Sequence, residues 1–187
     1  MKFLKYLALI IVTSCSPAYA GVVYDANTKS ATITGPTNIK LHVDVISTLR
    51  NNNVETVFMW GNGGEYYRGL DIGRAIRESG ARIIIPSGKR CISACAFSAI
   101  GSKKLIIDGE LLFHKPFALA VSTMDRVEDI VTKHGGAYMD MAIYLNEMGY
   151  DLSFAKDIIT KTSPCLFMVM TDGKEIGMED NCRDLAR

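Results

Sequence analysis

The pattern of apolar and polar positions predicts alternating helices and strands after a short opening segment at 21–36. A first helix ends near Asn52, and the apolar residues of one of its faces are Ile39, Val43, Ile46 and Leu49. The nearly continuous apolar run at 54–60 predicts a strand buried on both faces. G-N-G-G (61–64) then breaks the chain, and a second helix is expected from Tyr66 to Ser79, closed by Gly80.

The same alternation continues to the end of the chain. Further strands are expected at 81–86, 104–107 and 110–114, the last two separated by the turn pair Asp108-Gly109. Further helices are expected at 93–100, from Ser122 or Thr123 onward, from Asp151 to about Lys161, and briefly from Asp172 after the apolar run at 165–170. Such alternation predicts one α/β domain with a largely parallel sheet covered by its crossovers.

Three unusual stretches each follow or end a predicted strand: G-N-G-G, C-I-S-A-C (91–95) and F-H-K-P (113–116). Ligands of parallel sheets bind beyond the carboxyl ends of the strands. We therefore expect the three stretches to line one crevice.

Ser93 and His114 are candidates for a nucleophile and its general base. A serine at a helix start is most often an N-cap, so Ser93 alone is weak evidence for catalysis. His114 strengthens the interpretation only if it reaches Ser93, because a base must contact the proton that it takes. The N–H groups of Gly64 and Ala94 would then form an oxyanion hole.

The first 20 residues predict export. Lysines, an apolar stretch and A-Y-A form a signal peptide cleaved after Ala20, which leaves residues 21–187 as the mature domain in the periplasm or outside the cell. The alternative is a lipoprotein anchored to the membrane, since V-T-S-C resembles a lipoprotein box ending at Cys15. Removing two lysines takes the net charge from +1 to −1, and no basic field predicts nucleic-acid binding.

Four cysteines remain in the mature chain: Cys91, Cys95, Cys165 and Cys182. In an oxidising compartment disulfides are the default, and the local choice among three pairings joins the first two and the last two. Thiol catalysis ranks second, because a free thiol outside the cytosol risks oxidation. Zinc ranks last, because C-x-x-x-C is not the usual spacing of its ligands, and no metal is expected.

The order of motifs resembles the Clp protease proteolytic subunit, a member of the crotonase-like superfamily. The matching stretches are G-N-G-G-E-Y-Y-R-G-L-D-I-G-R-A-I-R, C-I-S-A-C-A and L-F-H-K-P, and G-M-E-D (177–180) is similar to the family's tail. The similarity extends from about residue 36 to residue 180 and is closer to exported relatives that carry C-x-S-A-C.

The resemblance implies stacked β-β-α units and a serine peptidase that needs no cofactor. Ser93 matches the nucleophile, His114 the general base, and Gly64 and Ala94 the oxyanion donors. Acyl-enzyme hydrolysis of a peptide or protein substrate would follow, independent of ATP because export removes the chain from the cytosolic unfoldase. The family also assembles into rings, so a homo-oligomer is an open expectation.

One departure from the family's pattern concerns the third member of the triad. Its aspartate would fall near Pro164 or Cys165, where the sequence has no acid. The remaining candidates are Asp157, Asp172 and Ser163. The missing acid supports a second hypothesis, a catalytically inactive module that binds a peptide or a partner.

Overall fold

Nine strands and five helices form the part of the chain that the computed structural model describes, residues 21–116, 127–171 and 175–180. The strands are β1 Gly21–Asp25, β2 Ser30–Thr34, β3 Thr56–Trp60, β4 Arg82–Ile85, β5 Arg90–Ile92, β6 Leu105–Ile107, β7 Glu110–Phe113, β8 Leu166–Thr171 and β9 Glu175–Asp180. The helices are α1 Ile39–Asn51, α2 Tyr66–Ser79, α3 Ala94–Ala99, α4 Val127–Glu147 and α5 Leu152–Lys161.

The strands form two sheets, in the orders β1-β2-β3-β4-β6 and β5-β7-β8-β9. In the first sheet β2, β3, β4 and β6 are parallel, and β1 joins its edge as an antiparallel strand. In the second sheet β5 and β7 are parallel, whereas β8 and β9 continue it in antiparallel fashion. The α/β class expected from the sequence is therefore confirmed.

The two sheets are joined beyond the end of β3. Gly61 pairs with Cys91 as a parallel bridge, so that the Gly61 N–H donates to the Arg90 carbonyl at 3.0 Å. The Ile92 N–H donates back to the Gly61 carbonyl at 2.9 Å. This connection places the carboxyl ends of β3 and β5 side by side.

The second helix and the last one begin and end as predicted. α2 ends at Gly80, which adopts a left-handed conformation with φ of 69° that favours glycine. α5 begins after Asp151, whose carboxylate accepts a hydrogen bond from the Ser153 N–H. Both ends are determined by local chemistry, which explains why the sequence locates them.

The prediction that β3 is buried on both faces was wrong, and the apolar stripe that correctly marked α1 is only partly buried. α1 buries Leu41, Val45 and Leu49, while Ile39 and Val43 are more than half exposed. Both stripes have helical spacing, so periodicity alone does not choose between them. β3 alternates between buried and half-buried positions rather than being buried on both faces.

The first and the last strands of the described residues also differ from the prediction. The opening segment, for which no element was predicted, contains the β1–β2 hairpin. The helix expected from Asp172 is wrong over 175–180, where β9 pairs with β8 along its whole length. The strands on either side of Asp108-Gly109 do not pair with each other, because β6 extends the first sheet and β7 the second.

Close packing of α2 against α3 determines where the second sheet's loops lie. A Cβ atom added to Gly69 would lie 2.6 Å from the Ala94 carbonyl oxygen, so only glycine allows this approach. The Tyr144 hydroxyl of α4 donates to the Phe97 carbonyl and is buried with it. The start of α3 is thus held firmly in the core. Over the described residues, no helix combines the length and the apolar character needed to cross a membrane.

Candidate active site

A cleft of about 210 Å³ opens where β3, β5 and β7 end. Its walls come from all three of the unusual stretches, as expected from the positions of these stretches after strands. The lining residues are Asn62, Gly64, Tyr66, Ser93, Phe97, His114 and Pro116. Tyr66 and Phe97 meet edge to face at 5.6 Å and make one wall apolar.

Ser93 occupies a sharp turn between β5 and α3. Its φ and ψ are 56° and −123°, a region that non-glycine residues rarely adopt, at a cost of about 1–3 kcal/mol. Its N–H donates to the Leu112 carbonyl at 2.8 Å, and its carbonyl accepts from the Phe97 N–H at 3.0 Å. Its side chain makes no capping hydrogen bond to α3. The N-cap interpretation of the Ser93 hydroxyl therefore fails, and the strained turn instead resembles those that present a nucleophile.

His114 follows β7 directly and is 8% exposed. Its Nδ1 lies 2.9 Å from the Lys115 carbonyl oxygen, and its ring meets Phe167 edge to face at 5.3 Å. Burial lowers the pKa of His114, and the bond to the Lys115 carbonyl opposes that change only in part. The imidazole is therefore neutral at neutral pH. In the tautomer that donates from Nδ1, Nε2 is the nitrogen that can accept a proton.

The pairing of β5 with β7 brings Ser93 and His114 to one place. The register matches Ile92 with Leu112, so the two side chains follow the ends of adjacent parallel strands. Neighbouring strands lie about 4.8 Å apart, and both side chains face the same cleft. A hydroxyl and a neutral imidazole in one small cleft can perform nucleophilic and general-base chemistry.

The glycine turn lies against the serine. Thr37 pairs with Gly64: the Thr37 N–H donates to the Gly63 carbonyl and the Glu65 N–H to the Thr37 carbonyl, both at 2.7 Å. In such a bridge the N–H of the middle residue, Gly64, points away from the paired segment. Ala94 contributes its N–H as the first residue of α3. Both predicted oxyanion donors therefore belong to segments that border the cleft.

Gly63 is a residue of the site that sequence reasoning missed. A Cβ atom added there would lie 2.8 Å from the Ser93 Cβ and 2.5 Å from the Ile92 carbonyl oxygen, and φ of this residue is +80°. Glycine is required at this position for the two turns to touch. The signal in the sequence was the pair of adjacent glycines in G-N-G-G. Gly63 approaches the Ser93 turn, whereas Gly64 approaches Thr37, so each position requires glycine for its own contact.

The structure gives contacts for two of the three residues predicted as candidates to orient His114. Asp157 forms an ion pair with Lys161 on the outer side of α5 at 2.9 Å. Ser163 accepts hydrogen bonds from the Leu166 and Cys165 N–H groups. Asp172 lies outside the described residues. The described contact of the His114 Nδ1 is instead with a backbone carbonyl.

Cys91 and Cys95 form a disulfide across the Ser93 turn, with their Cα atoms 5.2 Å apart. Both are buried, at 0% and 3% exposure. This half of the predicted pairing is confirmed. Cys165 is also disulfide-bonded. Cys182, the partner predicted for it, lies outside the described residues. Within the described ranges no group of three or more His, Cys, Asp and Glu side chains could hold a metal ion.

Comparison with solved structures identifies the fold. A point mutant of ClpP1 from Listeria monocytogenes superposes with a TM-score of 0.57 at 16% identity, over 78% of this chain and 84% of that one. A point mutant of 1510-N, a membrane-bound stomatin-specific protease, gives a TM-score of 0.52 at 18% identity, over 82% and 74%. No protein-family model and no curated protein sequence matches the chain. At these identities the likeness shows architecture alone: the chain has a ClpP-like fold.

Proposed function

We propose that this protein is an exported serine hydrolase, and specifically a peptidase that works through an acyl-enzyme on Ser93. The observation that carries the proposal is the strained turn at Ser93, where φ is 56° and the hydroxyl does not cap α3. Ser93 lines a cleft that is also lined by the buried His114. Backbone strain of this kind persists only where the surroundings impose it, and it occurs most often at functional sites.

The reaction has two halves. The Ser93 Oγ attacks the peptide carbonyl while His114 Nε2 accepts the hydroxyl proton, and the same nitrogen then gives that proton to the leaving amine. In the second half water attacks the Ser93 ester, His114 takes its proton, and the Oγ is reprotonated as the acid is released. The N–H groups of Gly64 and Ala94 receive the oxyanion, each contributing about 3 kcal/mol.

The walls of the cleft favour a peptide as substrate. Tyr66, Phe97 and Pro116 offer an apolar surface beside Ser93. A volume of about 210 Å³ is below the range of roughly 300–1,000 Å³ typical of sites that enclose a drug-sized ligand. It suits one apolar side chain of an extended substrate that continues outside the cleft.

Export to the periplasm or the extracellular space is part of the same proposal. The signal-peptide pattern of residues 1–20 motivates it, and the Cys91–Cys95 disulfide supports it because such bonds persist in oxidising compartments. Assembly into a homo-oligomer stays a prediction from the family resemblance.

A fluorophosphonate probe tests the proposal directly. We expect the folded, oxidised wild type to be labelled once per chain and Ser93→Ala to remain unlabelled, because the probe reacts only with an activated hydroxyl. Ser98→Ala is the matched control, since the Ser98 hydroxyl is buried and bonded to the carbonyls of Gly69 and Ala94. A wild type that stays unlabelled while folded would support the inactive binding module instead.

A further inference from the structure

A buried threonine at the end of α5 is connected to the candidate base through the backbone. Thr162 is 4% exposed, and its Oγ1 accepts a hydrogen bond from the Lys115 N–H at 2.8 Å. The Lys115 carbonyl in turn lies 2.9 Å from His114 Nδ1. Residues 47 positions apart in the chain thus meet within two hydrogen bonds of the imidazole.

The threonine hydroxyl is itself held in one orientation. It donates to the Ile158 carbonyl at 2.6 Å, one turn back along α5. A hydroxyl has one proton, so this bond commits the hydrogen to Ile158 and directs a lone pair toward Lys115. The same Oγ1 is therefore a fixed acceptor for the Lys115 N–H.

Pro116 completes the constraint on Lys115. A residue before proline is restricted to extended conformations, which narrows the direction in which its carbonyl points. Pro116 is also buried beside the cleft. With its N–H held by Thr162 and its backbone limited by Pro116, Lys115 presents its carbonyl to His114 in a defined direction. This arrangement gives a role to each residue of H-K-P.

We propose that Thr162 is a positioning residue: its hydroxyl fixes the Lys115 carbonyl, which orients the His114 imidazole with Nδ1 protonated and Nε2 toward Ser93. The arrangement performs the orienting role that a carboxylate has in a Ser-His-Asp site. This inference rests on the proposed function. Thr162 lies just before Ser163, close to the positions at which the family's aspartate is expected and this sequence has no acid.

The test compares three variants, each expressed from the full 187-residue sequence. Thr162→Val keeps the shape of the side chain and removes the hydroxyl, whereas Thr162→Ser keeps the hydroxyl. Thr160→Val is the matched control, because the Thr160 Oγ1 makes the same bond one turn back, to the Lys156 carbonyl at 2.8 Å, but is exposed. Each variant is assayed for hydrolysis of an activated ester and of a peptide ending in an apolar residue.

We expect Thr162→Val to lower kcat by about 10²-fold with KM nearly unchanged, because misplacing a catalytic group by about 1 Å costs that much in rate. Thr162→Ser should restore most of kcat, and Thr160→Val should match the wild type. The proposal is overturned if Thr162→Val keeps the wild-type kcat, or if Thr162→Ser is as impaired as Thr162→Val.

Nitrogen NMR of ¹⁵N-histidine protein gives a readout that needs neither turnover nor a stable Thr162→Val variant. We expect the His114 signals of the wild type and of Thr162→Ser to show a protonated Nδ1 and an unprotonated Nε2. Assignment comes from the loss of these signals in His114→Gln. The opposite tautomer in the folded wild type would overturn the inference. Absence of fluorophosphonate labelling with the expected tautomer would instead defeat only the proposed function.

Discussion

The chemistry at the residue scale depends on burial around His114. An exposed histidine titrates near neutrality, so a fraction of it would be cationic and useless as a base. The apolar ring of Phe167 and the position after β7 take the imidazole out of water, which disfavours its charged form. The Lys115 carbonyl stabilises the protonated ring to some degree, but burial prevails.

This balance predicts the pH dependence of hydrolysis. A base works only when neutral, and the pKa of His114 is lowered from 6.5, so kcat/KM should fall on the acid side with a midpoint below pH 6.5. The measurement is kcat/KM for an activated ester from about pH 4 to pH 8. Of the titratable side chains described, Tyr66 also lines the cleft; burial raises its pKa, so it stays neutral throughout.

His42→Gln provides the control for that profile. His42 lies on α1 with its Nε2 3.6 Å from Asp71, away from the residues of the cleft. The acid limb should be the same in this variant as in the wild type. A midpoint above 6.5 would mean that His114 is not the group whose protonation stops the reaction.

At the scale of elements, the strained turn between β5 and α3 is restrained on each side. The pairing of β5 with β7 and the close approach of Gly63 restrain the turn through contacts with other segments. The Cys91–Cys95 disulfide restrains it by linking the residues on its two sides. Because Ser93 would relax to an ordinary conformation if released, each restraint contributes to keeping its hydroxyl in the cleft. The disulfide therefore constrains the Ser93 turn in addition to stabilising the fold.

Removing the disulfide should lower both stability and reactivity. For Cys91→Ala with Cys95→Ala we expect the free energy of unfolding to fall by about 2 kcal/mol, the chain-entropy value for so short a loop. Urea unfolding of the oxidised proteins measures this change. Fluorophosphonate labelling of Ser93 should slow in the same variant, because the turn is less constrained. Labelling at the wild-type rate despite lower stability would show that β5, β7 and Gly63 suffice to hold the turn.

At the scale of the whole molecule, the cleft forms where β5, the edge strand of the second sheet, pairs with the chain just beyond β3, an interior strand of the first sheet. The Gly61–Cys91 bridge places the carboxyl ends of β3 and β5 side by side, and α2 packs closely against α3, whose first residue follows Ser93. α5 then supplies Thr162 from a distant part of the chain. These features belong to described residues between 21 and 180, so the proposed mature chain that begins at Gly21 retains all of them.

The mass of the exported protein tests where the mature chain begins. Expression of all 187 residues should yield a product that starts at Gly21, carries no acyl group and has the same mass in a Cys15→Ala variant. Intact-mass spectrometry of the secreted or periplasmic fraction measures this. An acylated product that begins at Cys15 and is lost in Cys15→Ala would establish the lipoprotein alternative.

Local signals in the sequence determined the order of most elements and the composition of the cleft. Gly80 and Asp151 mark helix ends by their own backbone and side-chain chemistry, so they could be read without a structure. Ser93, His114 and the glycine turn were found because each follows a strand, and parallel strands place their ends together.

Contacts between distant segments decided the rest. Which face α1 buries depends on its partners, and β9 forms because β8 offers it a free edge, although the local sequence favoured a helix. The link from Thr162 to His114 has no signal in the sequence, because a threonine after a helix is ordinary and gains meaning only when folding places Lys115 beside it. The chemistry of a side chain can be read from the sequence, whereas the residues that it contacts are determined by tertiary packing.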